Sequence, residues 1–82
     1  MTINEEALEA LCKKAASLFG GQPSDYNENT RFAEDLNCKS VNFVQFSAVL
    51  EDVFDIEVPY MEFVKLKSFG EAAEYMREKI EG

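Results

Sequence analysis

Apolar residues in this chain recur at three- and four-residue spacing in separate segments, and no long apolar–polar alternation is visible. That pattern favours helices that each bury one face, and it leaves no segment for a sheet. Leu8, Leu11, Cys12, Ala15, Leu18 and Phe19 share one stripe, predicting a first helix from about Asn4 to Phe19. Thr2 with Glu5 reads as its capping box, and Gly20-Gly21 as its stop. A second helix is predicted over Ser40 to Phe54. Val44, Ser47, Leu50 and Phe54 recur on its inward stripe, and Phe43 and Phe46 widen it. Val41, Gln45, Ala48 and Asp52 share the opposite line. The helix must end before Pro59, because Val58 precedes a proline. A short third helix fits Tyr60 to Lys65. Ser68 with Glu71 reads as the capping box of a last helix to about Ile80, with Phe69, Ala72, Ala73, Met76 and Ile80 on its apolar face.

The expected fold is all-α, a four-helix bundle of three longer helices and a short third one, in a single domain over residues 1–82. Between the first two helices lies a long loop, about Gly20 to Lys39, rich in Gln, Pro, Ser, Asp and Asn. A loop of that length needs anchors, and Tyr26, Phe32 and Leu36 are the candidates. Eighty-two residues support only a small core, but an apolar fraction of 46% with seven Phe argues against disorder.

Net charge −8 makes nucleic acid an unsuitable partner and suits an acidic surface that meets basic patches on other proteins. No apolar run approaches the ~18 residues of a membrane span and no signal peptide is visible, so a cytoplasmic monomer without membrane insertion is expected. Two cysteines cannot form a disulfide framework or a zinc site; Cys12 reads as core and Cys38 as a small loop residue. Asp35, Asn37 and Lys39 fall at alternate positions of a calcium-loop pattern. Ser40 and Phe46 occupy the places that need Gly and Glu, so no metal site is expected. Without histidine, and without a carboxylate pair beside a nucleophile, the chain is not expected to be an enzyme.

Ser40 is the residue with chemistry to offer. It closes a polar loop and opens the second helix, beside amide N–H groups that lack helical acceptors. Such a place favours a phosphate, bound or covalently attached. The chain holds nothing to activate this hydroxyl, so a separate enzyme must modify it. Serine is common at helix starts, and position alone would be weak support.

Ordered blocks around Ser40 strengthen the reading. Phe32-Ala33-Glu34-Asp35-Leu36, Ser40-Val41, Leu50-Glu51-Asp52-Val53-Phe54-Asp55-Ile56-Glu57-Val58-Pro59 and Phe69-Gly70-Glu71-Ala72-Ala73-Glu74-Tyr75-Met76 follow one another at set separations. In these blocks the chain resembles the acyl carrier proteins. The resemblance implies that Ser40 carries 4′-phosphopantetheine, a covalent cofactor derived from coenzyme A. A phosphopantetheinyl transferase would supply Mg²⁺ and the base, and Ser40 Oγ would attack the phosphorus of coenzyme A's pyrophosphate, whose nucleotide half leaves. It further implies a non-catalytic carrier of fatty-acid, polyketide or related acyl groups as thioesters, served by acyl-transferring synthase or ligase enzymes. Residues matching the family's acyl gap are Phe43, Ser47, Leu50, Phe54, Val58, Phe63, Leu66 and Ala72; close packing in the core is the competing reading for them.

Departures from the family pattern cluster near Ser40. Lys39 stands where an acid is usual, and Asn42 and Gln45 replace two more acids, while Asp52 remains further along. Val41, Ala48, Tyr60 and Met61 offer a small hydrophobic docking strip. These positions suggest a specialised rather than housekeeping carrier. Two alternatives stand beside it. One is an aminoacyl, D-alanyl or peptidyl carrier, although Asn37-Cys38-Lys39 lacks the Gly-Gly usual before a peptidyl carrier's serine. The other is an unmodified helical adaptor that binds a partner through Val41, Ala48 and Met61.

Overall fold

Thr2 starts the first helix by the reciprocal bonds its sequence predicts. Its hydroxyl accepts the Glu5 N–H at 3.1 Å, and the Glu5 carboxylate accepts the Thr2 N–H at 2.9 Å. The computed structural model describes residues 1–82, and in it α1 runs from Ile3 to Phe19. Gly20, at φ +98°, ends α1 in a conformation that L side chains rarely adopt. α2 spans Ser40–Phe54, α3 Tyr60–Phe63 and α4 Phe69–Glu81, with a 3-10 turn at Pro23–Asp25 inside the long loop. α1 packs on α4 and α2, and α3 packs against α2. The all-helical bundle expected from the periodicity is the observed fold.

α3 is shorter than the predicted Tyr60–Lys65. The chain tightens after Phe63, where the Lys65 and Leu66 N–H groups reach back only three residues, to Glu62 and Phe63. The expected capping box of α4 is half formed. Ser68 Oγ accepts the Glu71 N–H at 3.2 Å, but the Glu71 carboxylate accepts from Lys67 instead of Ser68. The cause is tertiary: Lys67–Phe69 is drawn alongside Thr30–Phe32. Phe32 N–H donates to the Lys67 carbonyl at 3.0 Å and Phe69 N–H to the Thr30 carbonyl at 2.9 Å, around an isolated bridge of Arg31 with Ser68. Gly70 N–H then reaches the Glu28 carbonyl at 2.8 Å. A Cβ on residue 70 would stand 3.0 Å from that same oxygen, so glycine permits the close approach.

Phe32 is the centre of the core. Its ring lies 5.4 Å from Phe43, 5.3 Å from Phe46, 5.6 Å from Phe63 and 5.1 Å from Phe69, within range for aromatic contact with α2, α3 and α4 at once. The loop is thereby pinned as expected. Tyr26 stacks on Phe69 and donates its hydroxyl to the Gly20 carbonyl at 2.7 Å, and Leu36 packs against the core. The phase of α2 differs from the predicted one at one position. Phe43, Phe46, Ser47 and Leu50 are buried, whereas Val44 is exposed. Phe43 and Phe46, in contact with the Phe32 ring, fill the interior in its place. Phe19 and Ile80, expected on inward stripes, are exposed at the ends of α1 and α4.

Candidate functional site

Ser40 is the first residue of α2 and is exposed. Two devices deliver it there. Arg31 clamps the preceding turn, placing its guanidinium 2.5 Å from Glu34 and 3.2 Å from Asp35 while its backbone N–H reaches Asp35 at 2.8 Å. Those bonds hold the Asp35 carboxyl below the usual carboxylate range. Next, Asn37 takes a left-handed conformation at φ +51°, and the Cys38 N–H bonds to the Phe32 carbonyl at 3.0 Å. The chain then turns up into the helix beside the central phenylalanine.

The helix start is secured around Ser40, and the bonds bypass its hydroxyl. Lys39 N–H donates to Asn42 Oδ1 at 2.8 Å, and Asn42 Nδ2 donates to Gln45 Oε1 at 3.2 Å. The Lys39 carbonyl accepts the N–H groups of Asn42 and Phe43, at 2.9 and 3.2 Å. Ser40 and Val41, as the first two helical residues, keep N–H groups with no helical acceptor. An exposed hydroxyl therefore sits where the helix dipole favours negative charge, and a phosphodiester fits that place.

Asn42 does more than its sequence reading allowed. It was expected only as a lost acid on a partner face, yet it closes the turn that carries Ser40. The signal was available: Asn stands at the third helical position, where a capping-box partner belongs.

Of the other partner-face residues, Lys39, Val41, Ala48, Asp52 and Met61 are exposed, and Gln45 and Tyr60 are half-buried. Tyr60 packs against the core, so its place in the hydrophobic strip is weaker than expected. Val41 and Met61 are 58% and 70% exposed, and Val44, one helical turn from Val41, is exposed as well.

The eight residues matched to an acyl gap divide into three groups. Phe43 and Leu66 line a recess of about 240 Å³ with Ala33, Glu34, Val64, Lys65 and Lys67. Ser47, Leu50, Val58, Phe63 and Ala72 are buried in the interior, where Ser47 Oγ donates to the Val44 carbonyl at 2.9 Å. Phe54 is half-buried against the core at the end of α2. Of the eight, only Phe43 and Leu66 therefore border an open recess. A larger hollow of about 360 Å³ lies between α1 and α2, over Ala10, Val49 and Val53, and includes none of the eight. Cys12 is buried and Cys38 half-buried, and burial pushes the Cys38 thiol up to about 11.

No protein-family profile matches the chain. Individual proteins do. It is 34% identical over 73 residues to the acyl carrier protein of Lactobacillus acidophilus, covering 89% of this chain and 91% of that protein. With the acyl carrier protein of Chlamydia felis it shares 34% identity over 58 residues, 71% of this chain and 74% of the relative. The acyl carrier protein of Lactobacillus johnsonii is 30% identical over 73 residues, 89% of this chain and 91% of the relative.

Proposed function

The chain belongs to the acyl carrier protein family, and on that premise we propose that it carries acyl groups on 4′-phosphopantetheine attached to Ser40. The observation that carries this reading is the exposed Ser40 hydroxyl at the head of α2, left free by the Lys39–Asn42–Gln45 bonds around it. When attached, the group supplies a terminal thiol that takes acyl groups as thioesters.

The chain's own residues supply position. Asn42 and the Arg31 clamp hold the Ser40 turn in one conformation, which presents the hydroxyl to an incoming transferase. The unpaired N–H groups of Ser40 and Val41 favour the phosphodiester charge by roughly 0.3–1 kcal/mol at an exposed helix start. Neither cysteine is required. The partners are a phosphopantetheinyl transferase and an acyl-transferring synthase or ligase. Lys39, exposed one residue before the attachment point, favours service in a specialised pathway over housekeeping fatty-acid synthesis.

Intact mass tests the reading. Incubation with coenzyme A and a promiscuous phosphopantetheinyl transferase is expected to add one phosphopantetheinyl group, and Ser40→Ala to abolish the gain. An unchanged wild-type mass across several transferases would favour the unmodified adaptor.

A further inference from the structure

The recess beside the start of α2 combines apolar side chains with two lysines, and Glu34, held by Arg31, also borders it. Phe43 lines it one helical turn from Ser40, Val64 and Leu66 form its wall, and Lys65 and Lys67 stand exposed at its edge. Lys39 belongs to the same end of the molecule. Phe32 donates its N–H to the Lys67 carbonyl and accepts the Cys38 N–H, so the two segments flank a single residue.

Three of the four side-chain cations that take part in no ion pair stand at this end of the molecule. Lys13, Arg31, Arg77 and Lys79 are in ion pairs, while Lys39, Lys65 and Lys67 are in none, as is Lys14 on α1. The nearby carboxylates are engaged: Glu34 and Asp35 by Arg31, and Glu71 by the Lys67 N–H at 3.1 Å. A chain of net charge −8 therefore presents free positive charge at the mouth of its recess. Its volume, about 240 Å³, is below the ~300–1,000 Å³ usual for small-molecule sites and suits a short chain.

We propose that this recess receives a short acyl cargo that ends in a carboxylate, its methylenes against Phe43, Val64 and Leu66 and its charge between Lys65 and Lys67. The inference rests on the carrier reading of Ser40 and specifies the cargo class. A purely aliphatic chain of equal length gains the apolar wall but not the ion pairs.

Two five-carbon cargoes isolate the charge. The protein is loaded by a transferase from glutaryl- or pentanoyl-coenzyme A, and intact mass first confirms one group on Ser40. Thioester cleavage by hydroxylamine and the amide shifts of residues 64–67 are then measured. The glutaryl form is expected to shift those amides more and to cleave about two- to fivefold more slowly, the worth of an exposed ion pair. Added salt should shrink the difference. Lys65→Gln with Lys67→Gln should erase it, and Lys65→Arg with Lys67→Arg should restore it. Equal protection of the two cargoes on a loaded protein overturns the cargo inference alone, and leaves the lysines as a contact for an acidic partner protein. Failure to load Ser40 overturns the carrier reading with it.

Discussion

Asn42 Oδ1 lies 2.8 Å from the backbone nitrogen of Lys39, and this bond closes the turn on which Ser40 stands. Lys39 occupies the N-cap position without a side-chain cap bond of its own, so Asn42 secures the helix start from the third helical position. The residue that holds the proposed attachment site in shape is two positions beyond it.

Asn42→Ala is expected to destabilise the protein by ~0.5–1 kcal/mol, the usual worth of a helix cap. Amides of residues 39–43 should exchange faster with solvent, and transfer to Ser40 should slow as its turn frays. Asn42→Asp keeps the acceptor and adds a charge the helix dipole favours, so it should melt at or above wild type. A thermal melt in which Asn42→Ala matches wild type would remove the capping role.

Phe32, fully buried among four other phenylalanines, should be the costliest truncation in the chain. Phe32→Ala is expected to lose ~3–5 kcal/mol, which could be most of the stability of a domain this size. Phe54→Ala, at a half-buried position, should cost less. Chemical denaturation of the two variants checks the order, and a reversed order would contradict the packing.

Acid should act partly through the Arg31 clamp. Hydrogen bonds from Arg31 hold Asp35 below the ordinary carboxylate range. A lowered folded-state pKa stabilises above the unfolded value, near ~3.9, and that contribution is lost as pH falls through the folded value. Arg31→Gln should raise the Asp35 titration midpoint seen by NMR and weaken the dependence of stability on pH below about 4. An unmoved midpoint would show that the ion pair does not persist in solution.

Partner choice should follow the charge next to Ser40. Lys39 is exposed and unpaired, and Asn42 and Gln45 bring no negative charge to the first turns of α2. Loading and turnover by general fatty-acid synthase enzymes are expected to be slow, mainly through the association rate. The combined change Lys39→Asp, Asn42→Asp and Gln45→Glu should make association faster and more salt-sensitive, since Asp at 42 retains the cap acceptor. Stopped-flow kinetics for wild type equal to those of a standard fatty-acid carrier would refute the idea.

Much of this architecture was legible along the chain. The ends of α1 follow from Thr2, Glu5 and Gly20, and α2 begins at Ser40 and stops before the Val58-Pro59 pair. Each of those signals acts over three or four residues, the span of one backbone hydrogen bond, so no knowledge of distant neighbours is needed. The exposure of Ser40 follows for the same reason, because a first-turn residue after a polar loop has little to cover it.

Other features depend on residues far apart in sequence. α2 is apolar nearly all round, with Val41, Val44, Val49 and Val53 as well as its phenylalanines, so periodicity could not decide that Val44 faces solvent while Phe46 is buried. Phe32 looks like one anchor among three until α2, α3 and α4 close about it. The carboxylate of Glu71 turns to Lys67 only because the loop at Thr30–Phe32 lies alongside. Local hydrogen bonding is written in short stretches of sequence. Burial depends on which surfaces meet, and that is settled only when the helices pack.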